Sequence, residues 1–100
     1  MIEQKFTKYE LDEFYSQAQK NIKQKLSTED YLKSELNIDI NGNIEYRNSS
    51  ISLVISHFLV DTPSIKIKIK FINSIHKNIG HYALYLDLDK KFLDEYFVIY

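Results

Sequence analysis

The chain contains no cysteine, one proline and two glycines among its 100 residues. The absence of cysteine excludes a disulfide framework, thiolate chemistry and any cysteine-built zinc site. Two glycines cannot line a phosphate-cradling loop, and Gly42 and Gly80 are the only positions where positive φ carries no steric cost. No apolar run approaches the ~20 residues that a membrane span needs. The opening MIEQKFTKYELDEF lacks the basic segment followed by an apolar one that marks a signal peptide. These absences predict a cytoplasmic protein with no membrane partner. Neither sign of charge prevails: 13 Lys and Arg against 14 Asp and Glu leave a formal −1, so no strong field steers a charged partner.

What is present is an aromatic, aliphatic chain, 44% hydrophobic with eight Tyr and six Phe, sized for one domain over residues 1–100 with one core. Thr7 to Glu10 reads as a capping box, a hydroxyl at the N-cap and a carboxylate three residues on. Leu11, Phe14, Tyr15, Ala18, Ile22 and Leu26 then recur at three- and four-residue spacing, the apolar stripe of one helix. STED at 27–30 offers a second cap, predicting a short second helix through Tyr31, Leu32 and Leu36. The helical part is expected over about 7–36 and an antiparallel sheet over about 37–100.

From residue 37 the period changes to two. Asn41-Gly42 between Ile38, Ile40 and Ile44, Tyr46 predicts a tight hairpin. The NSS at 48–50 reads as a polar turn, and ISLVISHFLV (51–60) as a strand. Ile65, Ile67, Ile69 and Phe71 alternate with Lys66, Lys68 and Lys70. Tyr82, Leu84, Leu86 and Leu88 alternate with His81, Ala83, Tyr85 and Asp87, and Phe92 to Tyr100 supply a last strand. Helices segregated from antiparallel strands make an α+β domain, a helix on one face of a four- to five-stranded sheet. The face toward the helix is expected to hold Leu53, Ile55, the odd-numbered residues 65–71, the even-numbered residues 82–88, Phe97 and Ile99.

The acids of LDLDKKFLDEYFVIY invite a metal or acid–base reading, and the spacing argues against both. Counted as a calcium loop from Asp87, position five is Lys91, position six is Phe92 and position twelve is Val98, where oxygen, glycine and a bidentate Glu are required. Asp94 and Glu95 are sequence neighbours, so on a strand they point to opposite faces. Asp89-Lys90-Lys91 falls where a hairpin turns. No Gly-x-Ser-x-Gly or other nucleophile setting occurs, and His57, His76 and His81 are scattered. No catalytic residue, metal ligand or cofactor site is assigned.

The face away from the helix is more informative. Lysines alternating in one strand recur every ~6.8 Å, close to the phosphate repeat of an extended nucleic-acid strand. A negative net charge and the lack of any RNA-binding signature disfavour nucleic acid. Tyrosines, lysines and a histidine around apolar residues instead have the composition of a protein-recognition surface. The expected contact residues are Lys66, Lys68, Lys70, His81, Tyr85, Asp87, Tyr96 and Tyr100. An alternative surface joins Asp12 and Glu13 of the helix to Asp89 and Asp94.

The segment IGHYALYLDLDKKFLDEYFVIY resembles a pattern in small immunity proteins of bacterial toxin–immunity systems, including contact-dependent growth inhibition. Gly80, His81, Tyr82 and Tyr85 match a glycine–aromatic strand, and Asp87 and Asp89 an Asp-rich turn. Asp94, Glu95, Tyr96 and Phe97 match a strand bearing an acidic pair and aromatics. The resemblance is confined to residues 79–100 and carries over no site residues. It implies a small cytosolic protein without catalytic groups that neutralises a cognate toxin domain, a nuclease among the options, by surface complementarity. A helix followed by four or five antiparallel strands is similar to the cystatin-like/NTF2-like arrangement that some immunity proteins use. The chain departs in charge, since immunity proteins against basic nucleases are often clearly acidic. Two other readings compete: a small-ligand pocket with weak enzymatic activity built on His81, Tyr85, Asp87 and Tyr96, and a phage-encoded inhibitor of a host defence protein.

Overall fold

The chain enters its helix through the predicted capping box. Thr7 Oγ1 accepts from the Glu10 backbone N–H at 3.1 Å, and Glu10 Oε1 accepts from the Thr7 N–H at 3.2 Å. Helix α1 then runs Lys8–Thr28. The structure is a computed structural model that describes residues 6–28, 44–55, 63–73 and 75–100. Within these residues four strands follow α1: β1 (Glu45–Val54), β2 (Ser64–Ile72), β3 (Asn78–Leu86) and β4 (Phe92–Ile99). They pair antiparallel in the order β1-β2-β3-β4, a simple meander. One helix on one face of a four-stranded antiparallel sheet is the expected α+β architecture. Among the described residues no helix is long and apolar enough to cross a membrane.

The core forms where the helical stripe meets the inward face of the central strands. Phe14, Ala18, Ile22 and Leu26 of α1 are buried against Ile65, Ile67, Ile69 and Phe71 of β2 and Tyr82, Leu84 and Leu86 of β3. Leu11 and Tyr15 flank the stripe half-buried, as do Phe97 and Ile99 from β4. Fully burying a side chain of this size contributes ~1.5–3 kcal/mol, so this layer dominates the fold's stability. Polar ties fix the helix over the sheet. Gln19 Nε2 donates to the Tyr46 carbonyl at 2.9 Å and to Asn48 Oδ1 at 3.0 Å, both on β1. Lys90 Nζ lies 3.3 Å from Glu10 at the helix start.

Gly80 serves a close approach within β3 and not a turn. A Cβ there would collide with the Val98 carbonyl oxygen of β4 and press on Phe71. Positive φ falls instead on His76 (62°) and Lys90 (67°), each in a hairpin turn of the same design. Asn73 Oδ1 accepts from the N–H groups of Ile75 and Lys77, and Asp87 Oδ1 from those of Asp89 and Lys91. An Asx side chain thus replaces backbone partners at both turns.

The region before β2 departs from expectation. The polar NSS is no turn; it lies inside β1, where the register slips between Asn48 and Ser50. An edge strand with one face in solvent tolerates polar residues, and the extra residue is absorbed as a bulge. Ile55 was expected inward but sits past the end of β1, 52% exposed. Leu88, also expected inward, is exposed because β3 stops at Leu86 and Leu88 belongs to the turn. The Asn41-Gly42 hairpin, the short second helix and His57 lie outside the described residues.

Candidate functional site

Among the described residues α1 covers one side of the sheet and no element lies over the other, which is therefore the candidate surface. Strand pairing arranges its side chains in three rows. Ser52, Lys66, Tyr85 and Asp94 form one; Ser50, Lys68, Ala83 and Tyr96 the second; Arg47, Lys70, His81 and Val98 the third. The three lysines therefore run down the middle of the sheet on β2. Arg47 borders them on β1, and a largely aromatic and apolar edge borders them on β4.

The lysines are half-buried, and Ala83, paired with Lys68, is 3% exposed. Lys66 Nζ lies 5.8 Å from the centroid of the Tyr85 ring, a cation–π contact. Tyr85 meets Tyr96 edge-on with centroids 5.8 Å apart. The Tyr96 hydroxyl donates to Asp94 Oδ2 at 2.8 Å, and that bond, with the nearby carboxylate charge, raises the phenol's pKa. Asp94 Oδ1 accepts from the Glu95 N–H at 2.8 Å. His81 Nδ1 and the Tyr100 hydroxyl are 2.8 Å apart, and Tyr100 is held by its own N–H to the Ile79 carbonyl. Burial lowers the His81 pKa below 6.5, and the Lys68 and Lys66 ammoniums lower it further. At neutral pH the ring is therefore uncharged, and Nδ1 shares one hydrogen bond with the Tyr100 hydroxyl, its direction set by the tautomer.

Seven of the eight expected contact residues gather on this face: Lys66, Lys68, Lys70, His81, Tyr85, Tyr96 and Tyr100. Asp87 does not join them. Its carboxylate is consumed by the β3–β4 turn, accepting two backbone N–H groups at 2.9 Å each. The alternative acidic surface is scattered. Asp12 lines a groove with Tyr15, Gln19 and Asn48 on the β1 flank of α1. Glu13 lines another with Phe14, Leu86 and Lys90 on the opposite flank. Asp89 is in the β3–β4 turn, and Asp94 is on the sheet face opposite α1. His81, Tyr85, Asp87 and Tyr96, the proposed pocket set, line neither groove.

Arg47 escaped notice because its segment reads as a turn. The signal is a change of parity: Ile44 and Tyr46 point inward at even numbers and Ile51 and Leu53 at odd ones, which an intervening bulge requires. Glu95 turns the other way from Asp94, accepting the Tyr82 hydroxyl at 3.0 Å on the helix side. The C-terminal acids are thus divided among a turn, the open face and the core margin. Among the described residues no three His, Cys, Asp or Glu side chains come together as a metal site. No family model matches the chain, and neither a curated protein nor a solved structure does.

Proposed function

We propose that this protein acts by binding rather than catalysis, as a cytoplasmic immunity protein that neutralises a cognate bacterial toxin stoichiometrically through the sheet face opposite α1. The observation that carries the reading is the composition of that face. Tyr96, Val98 and Tyr100 are 36%, 37% and 67% exposed along β4, beside a basic centre. Rigid aromatics supply contact area while charges set register, the division of labour found at protein interfaces. An interface of this kind buries ~1,200–2,000 Å² in total, of which one sheet face supplies a large share of one partner's half. The toxin is suggested by the resemblance of residues 79–100 to immunity proteins. An inhibitor of a host defence protein would use the same surface.

The experiment pairs the chain with the product of the gene immediately upstream. A large secreted protein with a variable C-terminal domain there, whose toxicity is relieved by one-to-one complex formation, is the expected result. Truncating an aromatic at the centre of an interface typically costs ~2 kcal/mol or more of binding, so Tyr85→Ala and Tyr96→Ala are expected to hasten dissociation. An upstream metabolic gene with no toxic product argues against the toxin. Unchanged affinity for both tyrosine variants, with loss on Glu13→Lys or Asp89→Lys, moves the contact to the helix side.

A further inference from the structure

We propose that the sheet face opposite α1 receives an acidic, extended segment of a partner polypeptide, its carboxylates seated along Lys66, Lys68 and Lys70. The proposal rests on the sheet face being the contact surface, and it specifies what the partner must present there. Among the described residues no carboxylate lies within ion-pair distance of any of the three lysines. The acids that border the face are otherwise engaged. Glu45 is held by Arg47 at 2.7 Å, and Asp94 by the Tyr96 hydroxyl and the Glu95 N–H. A sheet face that merely needs solubility intersperses both signs. Here three like charges stand in line on a central strand, with the Tyr85 ring beside Lys66 and, among the described residues, no carboxylate beside any of them.

Geometry then selects the ligand. Alternate side chains of an extended polypeptide recur every ~6.6–6.8 Å on one side, the same repeat as the lysines beneath. Two strand spacings away, ~10 Å, lies the β4 edge with Tyr96, Val98 and Tyr100. The matching surface is therefore an acidic strip flanked on one side by an apolar one. A single nucleic-acid strand shares the charge and the repeat but also needs aromatic faces on which bases stack. On β3, beside the lysines, those faces are occupied: Tyr85 by the Lys66 ammonium and the Tyr96 edge, and His81 by the tilted Tyr100 ring. A second copy of this chain would set one lysine ladder against another.

His81 provides an independent readout. It faces Lys66, Lys68 and Lys70 from β2 and Val98 and Tyr100 from β4, with no carboxylate hydrogen-bonded to it among the described residues. Carboxylates arriving on the ladder reverse the local field and draw a proton onto the ring.

The test uses the full chain with three probes: a peptide with Glu at alternate positions between valines, the same peptide with Gln, and oligothymidylate. Backbone amide shifts map the site, and fluorescence anisotropy at low and physiological salt gives affinity. The Glu peptide is expected to move the signals of residues 66–70 and 81–85, to weaken as salt rises, and to raise the pH at which His81 titrates. Replacement of Glu by Gln, or Lys68→Glu, should weaken binding on the order of tenfold or more. Lys68→Gln, which keeps most of the stem, should weaken it by less. Tighter binding of oligothymidylate, the same shifts appearing with protein concentration alone, or no shift on the ladder with the Glu peptide would each overturn the proposal. A toxin complex that survives Lys68→Glu but not Tyr96→Ala would overturn the acidic strip alone and leave the toxin reading standing.

Discussion

Among the described residues two side chains occupy backbone conformations that favour glycine. His76 and Lys90 stand at the same point of two matching turns, each three residues after the Asx that closes it. A left-handed L-residue costs ~1–2 kcal/mol, against ~0.5–1 kcal/mol of extra chain entropy that glycine loses on folding. His76→Gly is therefore expected to stabilise the protein by about 0.5–1 kcal/mol, seen as a higher urea midpoint with unchanged slope. Lys90→Gly should gain less, because Lys90 also pairs with Glu10 and lies 6.0 Å from the Phe14 ring centroid. Equal gains at both sites would show that those contacts contribute nothing. A third side chain, His81, titrates below 6.5 when folded because burial and two lysines oppose its charge. The unfolded chain then binds the proton first. Its stabilising share is full above 6.5 and lost as pH falls through the lower folded value. Urea midpoints measured from pH 7.5 downward should fall less steeply through that window in His81→Gln than in the wild type. Identical slopes would remove His81 from the pH response.

At the scale of elements, the helix was legible and one strand was not, for different physical reasons. The stripe from Leu11 to Leu26 repeats against a polar background, and the sequence marks its start with Thr7 and Glu10. The Glu10 carboxyl is held below 4.5, first by the Thr7 N–H and then by Lys90. Thr7→Ala removes the hydroxyl that accepts from the Glu10 N–H and should cost about 1 kcal/mol; Thr7→Ser should cost much less. Equal losses in chemical denaturation would mean that the threonine methyl, and not the cap, matters. Strands β2 and β3 were legible for the same reason as the helix, since Ile65 to Phe71 and Tyr82 to Leu86 keep one parity throughout. β1 breaks parity at its bulge, and period-two reading divides it in two. The candidate face follows this pattern: lysines and tyrosines placed by unbroken alternation were identifiable, whereas Arg47, beside the bulge, was not. Asp87 was misplaced by one residue of strand, because alternation cannot show where a ladder yields to a side-chain-capped turn.

Among the described residues the sheet ends at two strands, β1 and β4, and they are guarded differently. β1 carries a bulge and the Glu45–Arg47 pair, which make poor templates for another strand. β4 contains no lysine, arginine or proline, and it exposes Phe92, Tyr96 and Val98. What protects it is Glu95, a charge turned toward the helix side, where it meets the Tyr82 hydroxyl and lies 4.0 Å from Lys25 Nζ. An inward-pointing charge on an edge strand penalises the addition of a further strand, because the newcomer would bury it more deeply. Glu95→Leu is expected to cost about 1–3 kcal/mol, since it leaves the buried Tyr82 hydroxyl proton without its acceptor while apolar packing replaces a partly exposed ion pair. Its sedimentation coefficient, however, should rise with concentration more steeply than that of the wild type. Glu95→Gln separates the causes, keeping a side-chain oxygen for Tyr82 while discarding the charge. If charge is the guard, Glu95→Gln should associate nearly as strongly as Glu95→Leu. Sedimentation indistinguishable from wild type in both variants would return the protection of this edge to Asp94 and the irregular pairing near Leu93, where register shifts between Tyr85 and Leu86.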